Sequence, residues 1–112
     1  MNRNRFHAYD AALGLVIALR QEVERLSKYD RALADQLRRA ASSVVLNLAE
    51  GNRRVGQDRL HFFRIAAGSA AEARAALDVA RAWGLVGTSS EAEAELDRVL
   101  AMVWRLTHPR RR

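Results

Sequence analysis

Apolar and polar positions along the chain divide it into four stretches of helical period separated by short breaks. In the first, Tyr9, Ala12, Leu13, Val16, Ile17, Leu19, Val23 and Leu26 recur at the spacing of one helix face, with Leu15 widening the stripe. This predicts a helix from Tyr9 or Asp10 to about Ser27, after a basic tail over residues 1–7. Lys28 and Tyr29 form a short turn, and Asp30 is suited to cap a second helix that runs to Glu50. Gly51 is read as the left-handed residue that stops it, and Gly51 to Gly56 as the connecting loop. A third helix is predicted from Gln57 or Asp58 to Trp83. Its apolar arc holds Phe62, Ile65, Ala66, Ala70, Ala73, Ala76, Leu77, Ala80 and Trp83, with Phe63 at the edge. Ser90 followed by Glu93 has the spacing of a capping box and opens a fourth helix to about Thr107, followed by a basic tail over residues 108–112. Short connections make consecutive helices antiparallel neighbours, so residues 1–112 are expected to form a single all-α domain, an up-down-up-down four-helix bundle.

The second helix carries more than a core stripe. Beside Leu33, Leu37, Ala40, Ala41, Val44, Val45 and Leu48 runs a polar line of Gln36, Arg39, Ser43, Asn47 and Glu50. Short polar groups at i, i+4 and i+7 flanking a core face point to a seam against another helix. Glu72 falls inside the expected apolar arc of the third helix, where an unpaired carboxylate is costly. The expectation is a structural polar seam of Arg39, Ser43, Asn47, Glu50 and Glu72, with Arg38 as a further candidate partner and with Glu72→Ala lowering thermal stability. Trp83 and Trp104 are read chiefly as core or interface aromatics, with base stacking secondary. Leu46 lies opposite the core stripe, and Leu15, Val79 and Met102 broaden theirs, which predicts self-association.

Charge sharpens this picture. The 112 residues contain 19 Lys and Arg against 13 Asp and Glu, a net charge of +6, and the pI is near 11.1. Lys28 is the only lysine, so the positive charge is almost wholly guanidinium, which matches phosphate oxygens two at a time. A small domain this basic points to a nucleic-acid partner, the alternative being charge that merely reflects an Arg- and Ala-rich composition. Arg38, Arg39, Arg53, Arg54, Arg59 and Arg64 lie along the second helix, its following loop and the start of the third. In an up-down bundle both tails reach the same end as that loop, adding Arg3, Arg5, Arg110, Arg111 and Arg112. The expected nucleic-acid interface is thus Arg38, Arg39, Arg53, Arg54, Arg59, Arg64 and Arg110 to Arg112, contacting RNA or DNA without sequence specificity.

Other chemistry finds little support. Gly51 and Gly56 have the spacing of a phosphate loop, but Gln57 and Asp58 stand where Lys and Ser or Thr are required, and a helix precedes them rather than a strand. His7, His61 and His108 are too far apart in sequence to pair on a helix, so no metal is expected. No nucleophile elbow is present, and Glu91, Glu93 and Glu95 read as a solvated helix start, so no enzyme activity or cofactor is expected. With no Cys, no secretory h-region and no apolar run of membrane-spanning length, a cytoplasmic protein away from the membrane is expected.

Two segments carry a family resemblance. Leu37-Arg38-Arg39-Ala40-Ala41-Ser42-Ser43-Val44 with Asn47-Leu48-Ala49-Glu50-Gly51 resembles the signature R-R-A-A-x-S-I-x-x-N-I-A-E-G of a bacterial four-helix bundle family. That family comprises proteins of large-subunit ribosomal RNA intervening sequences and the accessory variability determinants of diversity-generating retroelements. Phe63-Arg64-Ile65-Ala66-Ala67-Gly68-Ser69-Ala70-Ala71-Glu72 is similar to the family's F-x-x-I-A-x-G-S-x-x-E. The resemblance covers about Phe6 to Val103. Val45 stands where many members have Pro, which removes the expectation of a helix kink there. The resemblance implies a homopentameric barrel of non-enzymatic protomers. In the retroelement branch it implies a basic protein that binds nucleic acid and partners a reverse transcriptase. In the ribosomal branch it leaves an oligomeric scaffold with no direct nucleic-acid role.

Overall fold

A computed structural model describes residues 6–87 and 90–110, apart from the side chain of Ser90. It contains four helices, α1 (His7–Ser27), α2 (Arg31–Asn52), α3 (Gly56–Ala82) and α4 (Ser90–Thr107), and no strand among the described residues. Each helix packs on two neighbours, α1 and α3 both lying against α2 and α4, in an antiparallel bundle with extents of 46 × 29 × 21 Å. Among the described residues no helix is long and apolar enough to cross a membrane.

The helix ends follow local chemistry. Asp30 caps α2 by accepting from the Leu33 amide at 3.0 Å. Gly84, at φ 73°, stops α3: its amide donates to the Arg81 carbonyl at 2.8 Å and that of Leu85 to Ala80 at 2.9 Å, the paired bonds of a Schellman turn. Gly51 does something other than expected. Helix α2 runs through it to Asn52 and shows no positive φ there. Gly51 is instead buried where a Cβ would stand 2.6 Å from the Phe63 ring. The glycine is required by the close approach of α3, not by a turn.

The core faces of α1 and α3 are rotated from their expected positions. In α1, Leu15, Leu19 and Leu26 are the centre of the core, while Ile17 is 62% exposed and Leu13 is 38% exposed. Glu22 also turns inward and borders a groove between α1 and α2, with Arg38 on its rim. In α3 the buried line is Phe63, Ala66, Ser69, Ala70, Ala73, Ala76, Leu77 and Ala80, with Ile65 and Trp83 turned outward. Alanine is the reason. An alanine stripe buries well where two backbones approach closely, but it carries little apolar weight per residue, so the larger Ile65 and Trp83 dominate a reading by periodicity.

Glu93 is not a free helix-start carboxylate. Its Oε1 accepts from Arg74 at 3.0 Å, and its Oε2 pairs with Arg81, tying α4 to α3. The hydrogen bond from Arg74 holds the Glu93 carboxyl below its ordinary value, against the opposing effect of burial and with help from Arg81.

Two outcomes are expected. Gly51→Ala forces a methyl group into the Phe63 ring and destabilises the protein by a net of about 1–2 kcal/mol, the overpacking outweighing alanine's better helix propensity. Chemical denaturation measures it, and Phe63→Leu is expected to cost less in the Gly51→Ala background than alone. A lowered folded pKa means that Glu93 contributes stability above the unfolded carboxylate range and loses it as pH falls through the folded value. Glu93→Gln is therefore expected to lower Tm at neutral pH, with its difference from the parent shrinking once pH falls below the ordinary glutamate value of 4.5.

Candidate nucleic-acid interface

The polar seam forms between α2 and α3, around different residues from those expected. The Ser43 and Ser69 hydroxyls lie 2.7 Å apart, and Asn47 Nδ2 donates to Ser43 Oγ at 3.0 Å and to the Ser43 carbonyl at 2.9 Å. Ser69, one helical turn before Ala73 and buried in the α2–α3 contact, closes the seam. Glu72 does not join it. The rotation of α3 leaves Glu72 exposed on the rim of a shallow polar cleft with Gln36, Arg39 and Ser43, and it makes no ion pair among the described residues. Its carboxylate is solvated, so the expected burial is not met. Arg39 pairs with Asp35 at 3.6 Å, and Glu50 pairs with Arg53 and Arg54, so both leave the seam as well. A seam of two hydroxyls and one amide fixes helix register, and no histidine or carboxylate is hydrogen-bonded to it among the described residues.

The expected arginines separate into two places. Arg38 and Arg39 lie in the half of α2 nearer the α1–α2 turn, about 20 Å along the helix from Arg53 at 1.5 Å per residue. Both face Asp35, whose carboxyl is held below its ordinary range first by the hydrogen bond from Arg38 at 2.6 Å. Their charge is locally matched. Arg53, Arg54, Arg59 and Arg64 sit at the other end, where α1 begins and α4 finishes. Arg54 is held between Glu50 at 2.8 Å and Asp58 at 2.6 Å and lies over the Phe62 ring. Arg59 lies over the Phe63 ring, 5.3 Å from its centroid, and reaches the Arg54 carbonyl and Asn52. Among the described residues Arg59 and Arg64 have no acidic partner. Arg110 is exposed, and Arg111 and Arg112 lie outside the described residues.

The structure adds residues that periodicity missed. Arg105, on the last turn of α4, is exposed and has no acidic partner among the described residues. Trp104, expected chiefly in a core or interface, is 59% exposed, and its ring is stacked on His108. The spacing of Trp104 and His108, one turn apart on a helix, is the signal that could have found the pair.

Charge therefore divides along the bundle. At this end stand Arg53, Arg54, Arg59, Arg64, Arg105 and Arg110, opposed by Asp10, Glu50 and Asp58. The remaining acids all fall in the other half, where they roughly balance the bases. Among the described residues no group of His, Asp or Glu is arranged to hold a metal.

Fold and site together define a small four-helix bundle whose excess positive charge is gathered at one end. The chain belongs to the 23S rRNA-intervening sequence protein family, whose pattern matches residues 4–105. No curated protein matches the chain. A solved protein of unknown function from the S23 ribosomal protein family of Bacteroides thetaiotaomicron is similar, with a TM-score of 0.79 and 15% identity. The similarity covers 91% of this chain and 99% of that one. At that identity it shows the shared bundle and nothing further.

Ser43→Ala is expected to cost about 1–2 kcal/mol, because it leaves the buried Ser69 hydroxyl without its cross-helix partner. Glu72→Ala is expected to stay within about 0.5 kcal/mol, as for an exposed residue without partners. Thermal denaturation of the two variants side by side checks both.

Proposed function

We propose that this protein is a non-enzymatic accessory protein that binds RNA or DNA through phosphate contacts at its basic end, without reading sequence. The observation that carries the reading is the segregation of charge: Arg59, Arg64, Arg105 and Arg110, without acidic partners among the described residues, share one end of the bundle. Guanidinium groups already matched by a neighbouring carboxylate gain little from a phosphate, whereas unmatched ones exchange water and counterions for it. In the retroelement branch of the family such a protein would serve as partner of a reverse transcriptase, holding the nucleic acid beside the polymerase.

A second reading is an oligomeric scaffold, and it rests on a different surface. Ile17 is 62% exposed, Leu46 67% and Val79 44%, large apolar side chains turned to solvent on three of the helices. Self-association, as the homopentamer that the family resemblance implies, would cover them. The two readings are compatible, since a ring of protomers would bring several basic ends together and strengthen their field.

Binding to a generic RNA and a generic DNA across a salt series, on protein of measured oligomeric state, tests the proposal. If the four unmatched arginines each neutralise a phosphate, log Kobs falls against log salt with a slope of about −3 to −4 per protomer. Arg64→Ala is expected to weaken binding to all sequences alike and to reduce that slope by about 1. Arg53→Glu with Arg54→Glu is expected to weaken binding with helicity and assembly kept, whereas Arg38→Ala with Arg39→Ala has little effect. No binding at low salt would leave the scaffold reading.

A further inference from the structure

Trp104 and His108 form a built feature that binding through phosphates alone does not use. Their rings are 4.1 Å apart between centroids and 12° from parallel. His108 is fixed in that position. Its Nδ1 lies 2.9 Å from the Trp104 carbonyl and 3.2 Å from the Thr107 hydroxyl, and Thr107 Oγ1 in turn lies 3.0 Å from the Val103 and Trp104 carbonyls. The imidazole thus closes the end of α4 and covers one face of the indole. Trp104 is nevertheless 59% exposed, so much of the indole away from His108 is open to solvent.

The surroundings are basic. Arg105 and Arg110 flank the stack in sequence, exposed and without acidic partners among the described residues. Across the helix pair, Arg74 binds Asp97 and sets the antiparallel register of α3 and α4. Seven residues on from Asp97 is Trp104, and seven back from Arg74 is Ala67, in the same turn as Arg64. Along the bundle, Trp104 therefore lies within about one helical turn of Arg64, one of the arginines of the basic end without an acidic partner among the described residues. The acids nearest in sequence on α4, Asp97 and Glu95, are paired with Arg74 and Arg98.

We propose that the Trp104–His108 stack receives an unpaired nucleobase, the flanking phosphates lying on Arg64, Arg105 and Arg110. The inference rests on the nucleic-acid reading above and adds its substrate class: single-stranded nucleic acid in preference to duplex. The reason is geometric. A π-face already backed by a second ring loses little freedom when a third ring stacks on it. An unpaired base can turn a free face to it, whereas the bases inside a duplex are stacked on both sides. Stacking is indifferent to base identity, so the site adds affinity without sequence preference.

Trp83 is the only other tryptophan, so full-length Trp83→Phe protein makes indole emission a report on Trp104 alone. Oligo(U), oligo(dT) and a duplex of equal length are titrated in turn, with binding followed independently by anisotropy of labelled strands. The expected result is strong quenching by the single strands and little by the duplex. Trp104→Ala in the otherwise natural sequence is expected to weaken single-strand binding by roughly five- to a hundredfold and leave duplex binding unchanged, with Trp104→Phe retaining most of the affinity. Comparing oligo(U) with oligo(dT) tells whether RNA or DNA is preferred. Binding of both strand types without quenching, and unaffected by Trp104→Ala, overturns the stacking site while leaving the phosphate interface intact. A change of oligomeric mass on Trp104→Ala with unaltered binding also overturns it, marking Trp104 as a subunit contact. Failure of every nucleic acid to bind at low salt overturns both readings.

Discussion

The close approach of α2 and α3 is the constraint on which the rest of the molecule depends. Gly51 has no room for a side chain beside Phe63, and the Ser43 and Ser69 hydroxyls meet farther along the same contact. Small residues on both helices let the backbones approach, and the buried line of α3 is mostly alanine. A buried hydroxyl pair is satisfied in only one alignment, so the seam fixes register where an all-alanine contact would leave it free to slide. Once α2 and α3 are fixed, α1 and α4 close the other two sides of the bundle.

That register decides where the charges stand. With α3 and α4 antiparallel and locked by Arg74, Arg81, Glu93 and Asp97, most of the acidic side chains are taken to one half of the bundle. There they meet bases close by, as Arg38 and Arg39 meet Asp35. The excess arginines are left at the opposite end, beside the α2–α3 loop and the last turn of α4. Net charge is a property of the sequence, but its use depends on pairing. A guanidinium held by a carboxylate at hydrogen-bond distance presents a much weaker field to a ligand than one facing water.

The exposed apolar side chains fall into two kinds. Ile17, Leu46 and Val79 are aliphatic and lie on the outer faces of helices, where a neighbouring protomer could cover them. Trp104 differs, since it is ordered by a ring already stacked on it and sits among arginines. The two kinds thus differ in chemistry and in surroundings, aliphatic side chains on three helices and an indole among guanidinium groups.

Four helices, their order, the Asp30 cap and the family were all legible in the sequence, because each rests on local spacing or on short motifs. Asn47 and Ser43 were legible as seam residues for the same reason. The role of Gly51, the solvation of Glu72, the inward turn of Leu15 and the outward turn of Ile17 and Trp83 were decided only in the tertiary structure. Their common cause is that alanine and serine can lie on either side of a helix boundary between core and solvent. The rotation of α1 and α3 is therefore set by which neighbours approach closely, and not by periodicity within the helix. The same holds for the arginines: the sequence determined that there is an excess of positive charge, while only the packing decided which guanidinium groups among the described residues meet carboxylates and which do not.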